Sequence, residues 1–421
     1  MPSVDCLLLL RPTSSATLFT QQLGRGLRTS AAKSHLTVID MIGQHRRDFR
    51  FEDRLGAILD RKRGPVERQV KDRFPFLPAG CTIDLDRQSE AFILENLKAA
   101  STRSRWTNLV GDLQSCDSLS LADYLDSQHH RIEDVYRSKR SWTQLKRDAG
   151  RDVPSAGDFD LEKIALRNIS RLTHVDDPER IEIYRRTISG FEPPALSSME
   201  PRRRRLLTML AWGLGSKDSG LGSLDEFFGH IWRETAVKGE LLDLFESTDR
   251  HSVTRLSPIG LASDIPLSIH ARYSREEIVA ALGHGEGIKP PPTREGILWV
   301  ESASSDAFFI DLHKAERDYS PSTMYHDYAI NRHLFHWESQ SGQAPHQPVV
   351  QRYIHHRERG SNVLLFVREQ KKSELGTQPY TYLGPAEYLD HKGEKPVQFR
   401  WQLKTPMPEE LFEVARSVAA A

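Results

Sequence analysis

The sequence has few cysteines and no long apolar run, and each absence excludes a class of protein. Its three cysteines, Cys6, Cys81 and Cys116, form no CxxC pair, so neither a disulfide framework nor a zinc site is expected. No stretch of about 18 apolar residues occurs, which predicts no membrane span and no membrane partner. The start lacks the basic region and cleavage site of a secretory signal. We therefore expect a cytoplasmic protein in a reducing compartment.

An excess of charge is also absent. Lys and Arg number 58, Asp and Glu also number 58, and the formal net charge is zero. A neutral total does not exclude nucleic-acid binding, because local patches matter more than sums. Residues 45–73 contain ten basic and six acidic residues, and the run Arg202–Arg205 is basic throughout. The first segment is either a solvated helix surface or a surface that tracks phosphates, and the second is either the charged flank of a helix start or a contact with the DNA backbone.

Motifs that bind nucleotides or cleave phosphodiesters are missing. No G-x-x-x-x-G-K-[ST] loop occurs to hold a β-phosphate, and no DEAH-like strand end supplies Mg²⁺ ligands. The pairs His313–Lys314 and His391–Lys392 do not have H-x-K spacing. We expect no ATPase activity, no metal and no cofactor for this chain alone, while a stand-alone enzyme of other chemistry stays open.

One motif stands out against these absences. Gln21, Gly24, Arg25 and Arg28 form Q-x-x-G-R-x-x-R. Apolar runs precede and follow it, at 4–10 and 35–42, and such runs are typical of parallel strands covered on both faces. Two arginines one helical turn apart point in similar directions. Such a pair suits the γ-phosphate of a nucleotide held by another domain, where it neutralises transition-state charge.

The rest of the chain divides into a helical part and a β-rich part. Residues 86–250 have amphipathic periodicity, with capping-box spacing at Ser120 and at Ser223, and Asp177–Pro178 fits a helix start. After about residue 265, short aromatic or β-branched runs are typical of a small barrel or sandwich. The predicted fold class is therefore multidomain: a partial α/β unit, an all-α domain and a β-rich domain. The β-like runs are ILWVES, AFFIDLH, LFHWES, NVLLFVRE, YTYLGP and VQFRWQL.

The β-rich part contains residue types that suit a pocket for a flipped base. Such a pocket needs aromatic faces and a few polar edges. Residues 319–330 predict a short helix that displays Tyr325 and Tyr328, and the strand LFHWES places Trp337 on the same face as Phe335. The competing interpretation is that these aromatic residues fill the interior of a small barrel. The candidate pocket residues are Tyr319, Tyr325, Asp327, Tyr328, Asn331 and Trp337.

A second candidate group is basic and aromatic and lies near a predicted strand. It either holds backbone phosphates or forms an exposed loop. The adjacent His355 and His356 would point to opposite faces of a strand, so no metal pair is expected there. The group consists of Tyr353, His355, Arg357 and Arg359.

The motif and its flanking strands resemble the end of the second RecA-like domain of superfamily 2 helicases. The similarity covers LLLLRPT, QQLGRGLR and the strand with VIDMIG. It implies that the motif is motif VI, with Arg25 and Arg28 as the arginine-finger pair and with Gln21 and Gly24 shaping it.

Roughly residues 268–405 resemble the uncharacterised domain at the end of many bacterial superfamily 2 helicase-like proteins, and FPFLPAGCTIDLDRQSEAFILENLK is also similar to these proteins. Some full-length relatives carry a phospholipase-D-type nuclease and act as type IV-like, modification-dependent restriction enzymes. In them this domain looks like an SRA-like (PUA-like) β-barrel. The segments that carry the similarity are ARYSREEIVAALG, DYSPSTMYHDYAINRHLFHWESQS, RYIHHRERGSNVLLFVRE and PYTYLGPAEYLDHKGEKPVQFRWQL.

These observations predict three domains and one main function. Residues 1–75 would be the remnant of RecA-like domain 2, 76–262 a helical coupling domain, and 263–421 an SRA/PUA-like DNA-binding domain. The chain would be the C-terminal portion of a helicase or translocase that reads double-stranded DNA, with modified cytosine a candidate, in restriction, defence or DNA processing. Its missing helicase domain 1 or nuclease domain would act in cis or in trans, and ATP and Mg²⁺ would enter only in that context.

Two alternatives stay open. The chain could be an interaction subunit that supplies Arg25 and Arg28 in trans to a separate ATPase half. It could also be an inactive truncated remnant, in which the strands at 4–10 and 35–42 lack their sheet neighbours and favour aggregation.

Overall fold

The computed structural model describes most of the chain and divides it into two compact units. The first consists of residues 1–112 with 127–130, and the second of 113–126 with 131–421. The predicted three-domain borders stay predictions. The described residues are 5–10, 19, 22–24, 35–41, 51–56, 58–59, 66–75, 77, 81–103, 106–116, 120–128, 130–155, 159–250, 252, 261–293, 295–312, 327–373 and 375–417.

The first unit contains two short parallel strands. Strands β1 (Cys6–Leu9) and β2 (Thr37–Asp40) pair with Cys6 opposite Thr37 and Leu9 opposite Asp40. Both lie inside the predicted apolar runs, and their parallel pairing is as expected for such runs. Their outer side chains are not covered, since Leu8 is 53% exposed and Ile39 is 46% exposed.

Three helices of this unit share a small apolar core. They are α1 (Phe51–Gly56), α2 (Val66–Lys71) and α3 (Arg87–Arg103). Phe51, Val70 and Ile93 are almost fully buried in this core, and the rings of Phe51 and Phe92 meet edge to face at 5.9 Å. The helix α4 (Trp106–Gln114) follows.

The helical part of the second unit is built from short helices whose starts are capped as the sequence predicts. The hydroxyls of Ser120 and Ser223 accept hydrogen bonds from backbone N–H groups three residues on, and Asp177 caps the helix that begins at Pro178. Such side chains satisfy donors that the first turn leaves unpaired. The helices are α5 (Leu121–Gln128), α6 (Ile132–Tyr136), α7 (Trp142–Asp148), α8 (Phe159–Asn168), α9 (Pro178–Ile188), α10 (Pro201–Gly213), α11 (Leu224–Ile231) and α12 (Thr235–Arg250).

A buried carboxylate fixes the start of α7. Glu240 on α12 accepts hydrogen bonds from the backbone N–H groups of Trp142 and Thr143, both at 2.8 Å. The first N–H groups of a helix carry a partial positive charge, which a carboxylate stabilises. Asp243, one turn later, accepts from the indole of Trp142 at 2.9 Å. These bonds tie α7 to α12.

The turn between α6 and α7 holds two consecutive non-glycine residues in left-handed conformation. Ser138 has φ 59° and Lys139 has φ 61°, and the N–H of Arg140 donates to the carbonyl of Arg137 at 3.3 Å. Left-handed backbone costs roughly 1–2 kcal/mol for each residue that carries a Cβ. The turn is therefore strained although both residues are exposed.

The β-rich part of the second unit is one mixed sheet. Its strand order is β4-β5-β8-β11-β12-β7-β6, and β3 pairs with β11. Every pairing is antiparallel except that of β5 with β8. The sheet strands are β3 (Arg272–Tyr273), β4 (Ile297–Val300), β5 (Ser305–Asp311), β6 (Tyr328–Asn331), β7 (Leu334–Glu338), β8 (Asn362–Arg368), β11 (Tyr380–Lys392) and β12 (Gln398–Leu403), while β9 (Lys372–Ser373) and β10 (Gly376–Thr377) form a separate short pair.

Each face of the sheet meets different helices. One face packs on α14 (Pro348–Ile354) and α15 (Glu409–Ser417) around Phe308 and Trp401. The opposite face carries Phe309 and Tyr380, on which α13 (Arg275–Ala281) places the guanidinium of Arg275 at 3.8 Å from the Phe309 ring. Side chains alternate between the faces because the strand period is two.

The structure confirms a mixed α/β architecture and corrects several details. The described strands follow an open path from β4 to β6 and do not close into the predicted barrel. Tyr328 lies in strand β6 and not in the predicted helix. The run near Tyr353 forms helix α14, begun by Pro348, where a strand was expected. Gly384 lies at a bulge inside β11. All six predicted β-like runs contain strands.

Two kinds of feature are absent from the described residues, a membrane-spanning helix and a cluster of metal-ligating side chains. None of their helices combines the length and apolar character needed to cross a membrane. Within the same residues, no group of three or more His, Cys, Asp or Glu side chains could hold a metal ion.

The strained turn predicts a stabilising substitution. In Lys139→Gly the left-handed residue loses its Cβ, so we expect the free energy of unfolding to rise by about 0.5–1 kcal/mol. The control Lys139→Ala removes the same charge but keeps the Cβ, and it should give no such gain. Urea titrations followed by tryptophan fluorescence measure both, and equal stability of the two variants would contradict the assignment of strain.

Candidate nucleic-acid interface

The predicted motif VI residues lie mostly outside the described residues. This applies to Gln21, Arg25 and Arg28, so the geometry of the arginine pair is not defined and its role stays a prediction. Gly24 is described and lies in a helical turn at 22–24. Apart from its own neighbours in the chain, no atom of the described residues lies within 4 Å of the position that a Cβ would take.

A buried ion pair in the first unit was not predicted. The guanidinium of Arg54 lies 2.5 Å from the carboxylate of Asp40, at the end of β2, and the Arg54 side chain is only 3% exposed. It also lies 4.1 Å from the ring of Phe19. At least one cation of the basic segment 45–73 is therefore used inside the fold, although neither interpretation of that segment included burial.

Two of the predicted nucleic-acid contacts are core residues. Trp337 is 6% exposed and Tyr353 is 1% exposed, and both lie in the cluster on the α14 side of the sheet. The ring of Phe308 packs between them, 4.5 Å from Trp337 and 5.1 Å from Tyr353. Neither ring has an open face for a base in this structure, which supports the interpretation that they fill the interior.

The residues near β6 and β7 form a polar corner on the other face. Tyr328 stacks on His336 with ring centroids 4.4 Å apart. The buried carboxylate of Asp327 accepts a hydrogen bond from the N–H of Glu338 at 3.1 Å, which fixes the start of β6 against the end of β7. The structure thus brings Asp327 and Tyr328 to one place.

The remaining pocket candidates are elsewhere. Asn331 is the exposed last residue of β6, where its side-chain oxygen accepts from the N–H of His333 at 2.8 Å. Tyr319 and Tyr325 lie outside the described residues. Among the four described candidates, Trp337 lies in the core and Asn331 lies at the end of β6, so these four do not form one pocket.

The second candidate group follows α14 as an exposed turn. His355 ends the helix and pairs with Glu358 at 3.0 Å, and Arg357 forms an ion pair with Glu387 on β11. Arg359 is exposed. Arg357 therefore has a carboxylate partner, and this partner reduces the attraction of the guanidinium for phosphate.

His356, between them, has a structural role. It is 4% exposed, one ring nitrogen lies 3.2 Å from the carbonyl of Ser361, and the other accepts from the N–H of Tyr388 at 3.2 Å. Burial lowers the pKa of this imidazole, which agrees with a neutral ring that donates once and accepts once. His356 therefore fastens the turn to β11.

The basic run at the start of α10 is largely used within the second unit. Arg202 pairs with Glu179 at 2.5 Å and donates to the carbonyl of Ile265. Arg205 pairs with Asp264 at 2.8 Å, and its guanidinium occupies the place that a Cβ on Gly283 would take. The run lies in the first turns of the helix that begins at Pro201, which confirms its interpretation as the charged flank of a helix start. The contacts of Arg202 and Arg205 are intramolecular.

A group of buried charged side chains lies where the helical part of the second unit meets the sheet. Arg180 on α9 is fully buried. Its guanidinium contacts Asp177, lies 2.9 Å from Glu277 on α13 and donates to the carbonyl of Arg272 on β3 at 2.7 Å. Glu277 also lies 2.6 Å from the imidazole of His174. We call Arg180, Asp177, Glu277 and His174 the buried charge cluster.

The buried charge cluster keeps the Glu277 carboxylate ionised. Burial raises the pKa of the Glu277 carboxyl, but the attraction of His174 and Arg180 outweighs burial and lowers the pKa to about 2. The sequence revealed only one part of this role, since Ser274 and Glu277 have capping-box spacing, and that capping box is present. The partner Arg180 is 97 positions away in the chain.

The buried charge cluster joins the helical part of the second unit to its sheet. Two segments of the sequence are similar to known proteins. Residues 267–415 match the family model described as Domain of unknown function (DUF3427), which confirms the resemblance of this segment to an uncharacterised domain. The chain is also similar to the protein named Putative ATP-dependent helicase IRC3 of Saccharomyces cerevisiae, at 54% identity over 43 residues.

The second similarity is short. It covers 10% of this chain and 6% of the yeast protein. The chain thus spans only a small part of the length of the curated relative that it matches. Over that segment the chain is related to a helicase.

The buried charge cluster predicts a dependence of stability on pH. Because the folded-state pKa of Glu277 lies below the ordinary value of 4.5, its contribution is complete above about pH 5 and is lost as the pH falls toward 2. The shift corresponds to about 3 kcal/mol. We expect Glu277→Gln to lower stability at pH 7 and to flatten its fall between about pH 5 and pH 3.

The neighbouring Glu276 provides the control. Its side chain is exposed on the same helix, so Glu276→Gln should keep the slope of the wild-type chain. Denaturant unfolding at several pH values measures all three proteins. A full wild-type slope in Glu277→Gln would show that other carboxylates carry the acid sensitivity.

Proposed function

We propose that this chain is part of a superfamily 2 helicase-type protein and that its second unit binds double-stranded DNA. The observation that carries the proposal is the 54% identity over 43 residues with a protein named as an ATP-dependent helicase. The Q-x-x-G-R-x-x-R motif between two apolar runs, two segments of which pair as parallel strands, supports it.

The arginine pair and the second unit would have different roles. Arg25 and Arg28 would neutralise charge on a γ-phosphate held by a RecA-like domain 1, in cis or in trans, with Mg²⁺ bound in that domain. The second unit would contact the duplex. The tie between α9, α13 and β3 through Arg180 supports a unit that moves as one body, so that a force applied to its helices reaches its sheet.

The finer part of the proposal is that the second unit recognises a modified base. The chain would then act in restriction or defence. The support for this part is the stacked pair Tyr328–His336, which places aromatic side chains on the face of the sheet opposite Trp337. Trp337 and Tyr353 no longer contribute, because both lie in the core.

Binding to matched duplexes tests the main proposal. We expect the full chain to bind a labelled duplex at about 50 mM salt and to lose affinity steeply toward about 200 mM, because phosphate contacts release counterions. Fluorescence anisotropy with unmodified and 5-methylcytosine duplexes measures this. Tighter binding of the methylated duplex at both salt concentrations supports the finer part, and Tyr328→Ala should then remove the difference. Absence of binding at low salt would overturn DNA binding as the function.

An ATPase assay distinguishes this chain from a helicase that contains its own nucleotide-binding loop. We expect no Mg²⁺-dependent ATPase activity from the chain alone, with or without duplex DNA, because no G-x-x-x-x-G-K-[ST] loop is present to hold the β-phosphate. A phosphate-release assay measures it, with Arg25→Ala as the matched control. Turnover in the chain that is lost in Arg25→Ala would show that a nucleotide site exists without that loop.

A further inference from the structure

Helix α8 and the short 3-10 turn that continues it carry cations at a regular spacing. Lys163, Arg167 and Arg171 follow one another at intervals of four residues, and all three are exposed. The other side of this element is buried, with Leu161, Ala165 and Ile169 in the core. Residues four apart lie on the same helix face, so the three cations form one row, which we call the α8 cation row.

The α8 cation row differs from the other basic segments in how its charges are used. Among the described residues, no ion pair or hydrogen bond engages the side chain of any of its three members. By contrast, Arg202 and Arg205 are paired with Glu179 and Asp264. The first turn of α8 contains two acidic residues. Glu162 is buried and bound to Arg147 at 2.7 Å, whereas Asp160 is exposed. Three cations and one carboxylate of this element therefore face solvent, which leaves a positive charge available to a ligand.

The strained turn adds a fourth cation. The turn Arg137–Arg140 packs against α8, and Lys139, in left-handed conformation, is exposed there. Glycine would fit this backbone without strain. A lysine at this position gives up stability and exposes an ammonium group on a turn that packs against α8.

The spacing suits a phosphate backbone. Steps of four residues at a rise of about 1.5 Å place neighbouring cations about 6 Å apart and extend the row over roughly 12 Å. Duplex DNA carries about one negative charge per 1.7 Å of axis, so this length faces several phosphates. The three side chains of the row include no aromatic ring for base stacking, and the exposed carboxylate of Asp160, three residues before Lys163, reduces the positive charge only at the start of the row.

We propose that the α8 cation row, with Lys139, is the surface through which the helical part contacts the phosphate backbone of double-stranded DNA. This inference rests on the proposed function and places the duplex on the helices, in addition to the C-terminal sheet. Contacts of this kind fix position and orientation without reading sequence.

Charge reversal tests the row in the full chain. We expect the triple variant Lys163→Glu, Arg167→Glu, Arg171→Glu to bind an unmodified duplex at least roughly tenfold more weakly than wild type at about 100 mM salt. The slope of log affinity against log salt should decrease by about 0.9 per lost contact, or about 2.7 in total. The milder triple substitution to Gln should show the same change in slope and guards against misfolding in the Glu variant.

A second triple variant serves as the matched control. Arg186, Arg233 and Lys289 are exposed cations of the second unit that lie outside α8 and the 3-10 turn that continues it, and their reversal to Glu changes the net charge by the same amount. It should leave the salt slope of the wild-type chain nearly unchanged. Equal weakening in both triple variants would mean that total charge matters and would overturn the inference.

Lys139 provides an independent check. Lys139→Gly and Lys139→Ala should both weaken binding by a similar factor although their effects on stability differ. Unchanged affinity in both would remove Lys139 from the proposed surface.

The outcomes distinguish this inference from the proposed function. If the wild-type chain does not bind duplex DNA at low salt, the proposed function fails. If it binds, and the row variants bind equally well with the same salt slope, then only the α8 cation row is excluded.

Discussion

A single buried guanidinium sets the arrangement of the second unit. Moving Arg180 out of water costs several kcal/mol, and only well-placed opposite charges offset that cost. Its partners come from the start of α9, from α13 and from the backbone of β3. No other placement of these elements would keep the charge compensated, so the helical layer and the sheet have one favoured orientation. Apolar contacts between α10 and α13 add stability, but they are less directional.

The basic side chains of the second unit fall into two groups. Some bind carboxylates and carbonyl groups inside the fold, and others face solvent. Dense basic runs attract attention in a sequence, yet Arg202 and Arg205 bind carboxylates and carbonyl groups of their own unit. The charges that face solvent without a described partner, Lys163, Arg167 and Arg171, are dispersed in the sequence and become a row only when α8 is helical. Charge density along a chain is therefore a weak guide to a binding surface, and helical periodicity combined with burial is a better one.

Local features of this fold could be predicted from the sequence, and long-range ones could not. The caps at Asp177, Ser223 and Ser274 depend on residues three positions apart, and the alternation in LFHWES predicts that Phe335 and Trp337 share one face of β7, as both do in the core cluster. Tyr328 was placed in a helix because the tyrosine spacing around it has a helical period, whereas pairing with β7 decides its conformation. The same limit applies to Trp337, whose aromatic ring suits a pocket or a core equally until its neighbours are known. The partnership of Arg180 with Glu277 had no signal in the sequence.

The parallel pairing of β5 with β8 has a consequence for how the protein is made. Ser305 lies opposite Asn362, so the centre of the sheet cannot form until the intervening β6, β7 and α14 have left the ribosome. Strand β11, which joins β3, β8 and β12, comes later still. Closing such distant contacts is entropically costly and slows folding. The helices up to α12 are synthesised first, and they can offer a formed surface on which the late sheet assembles.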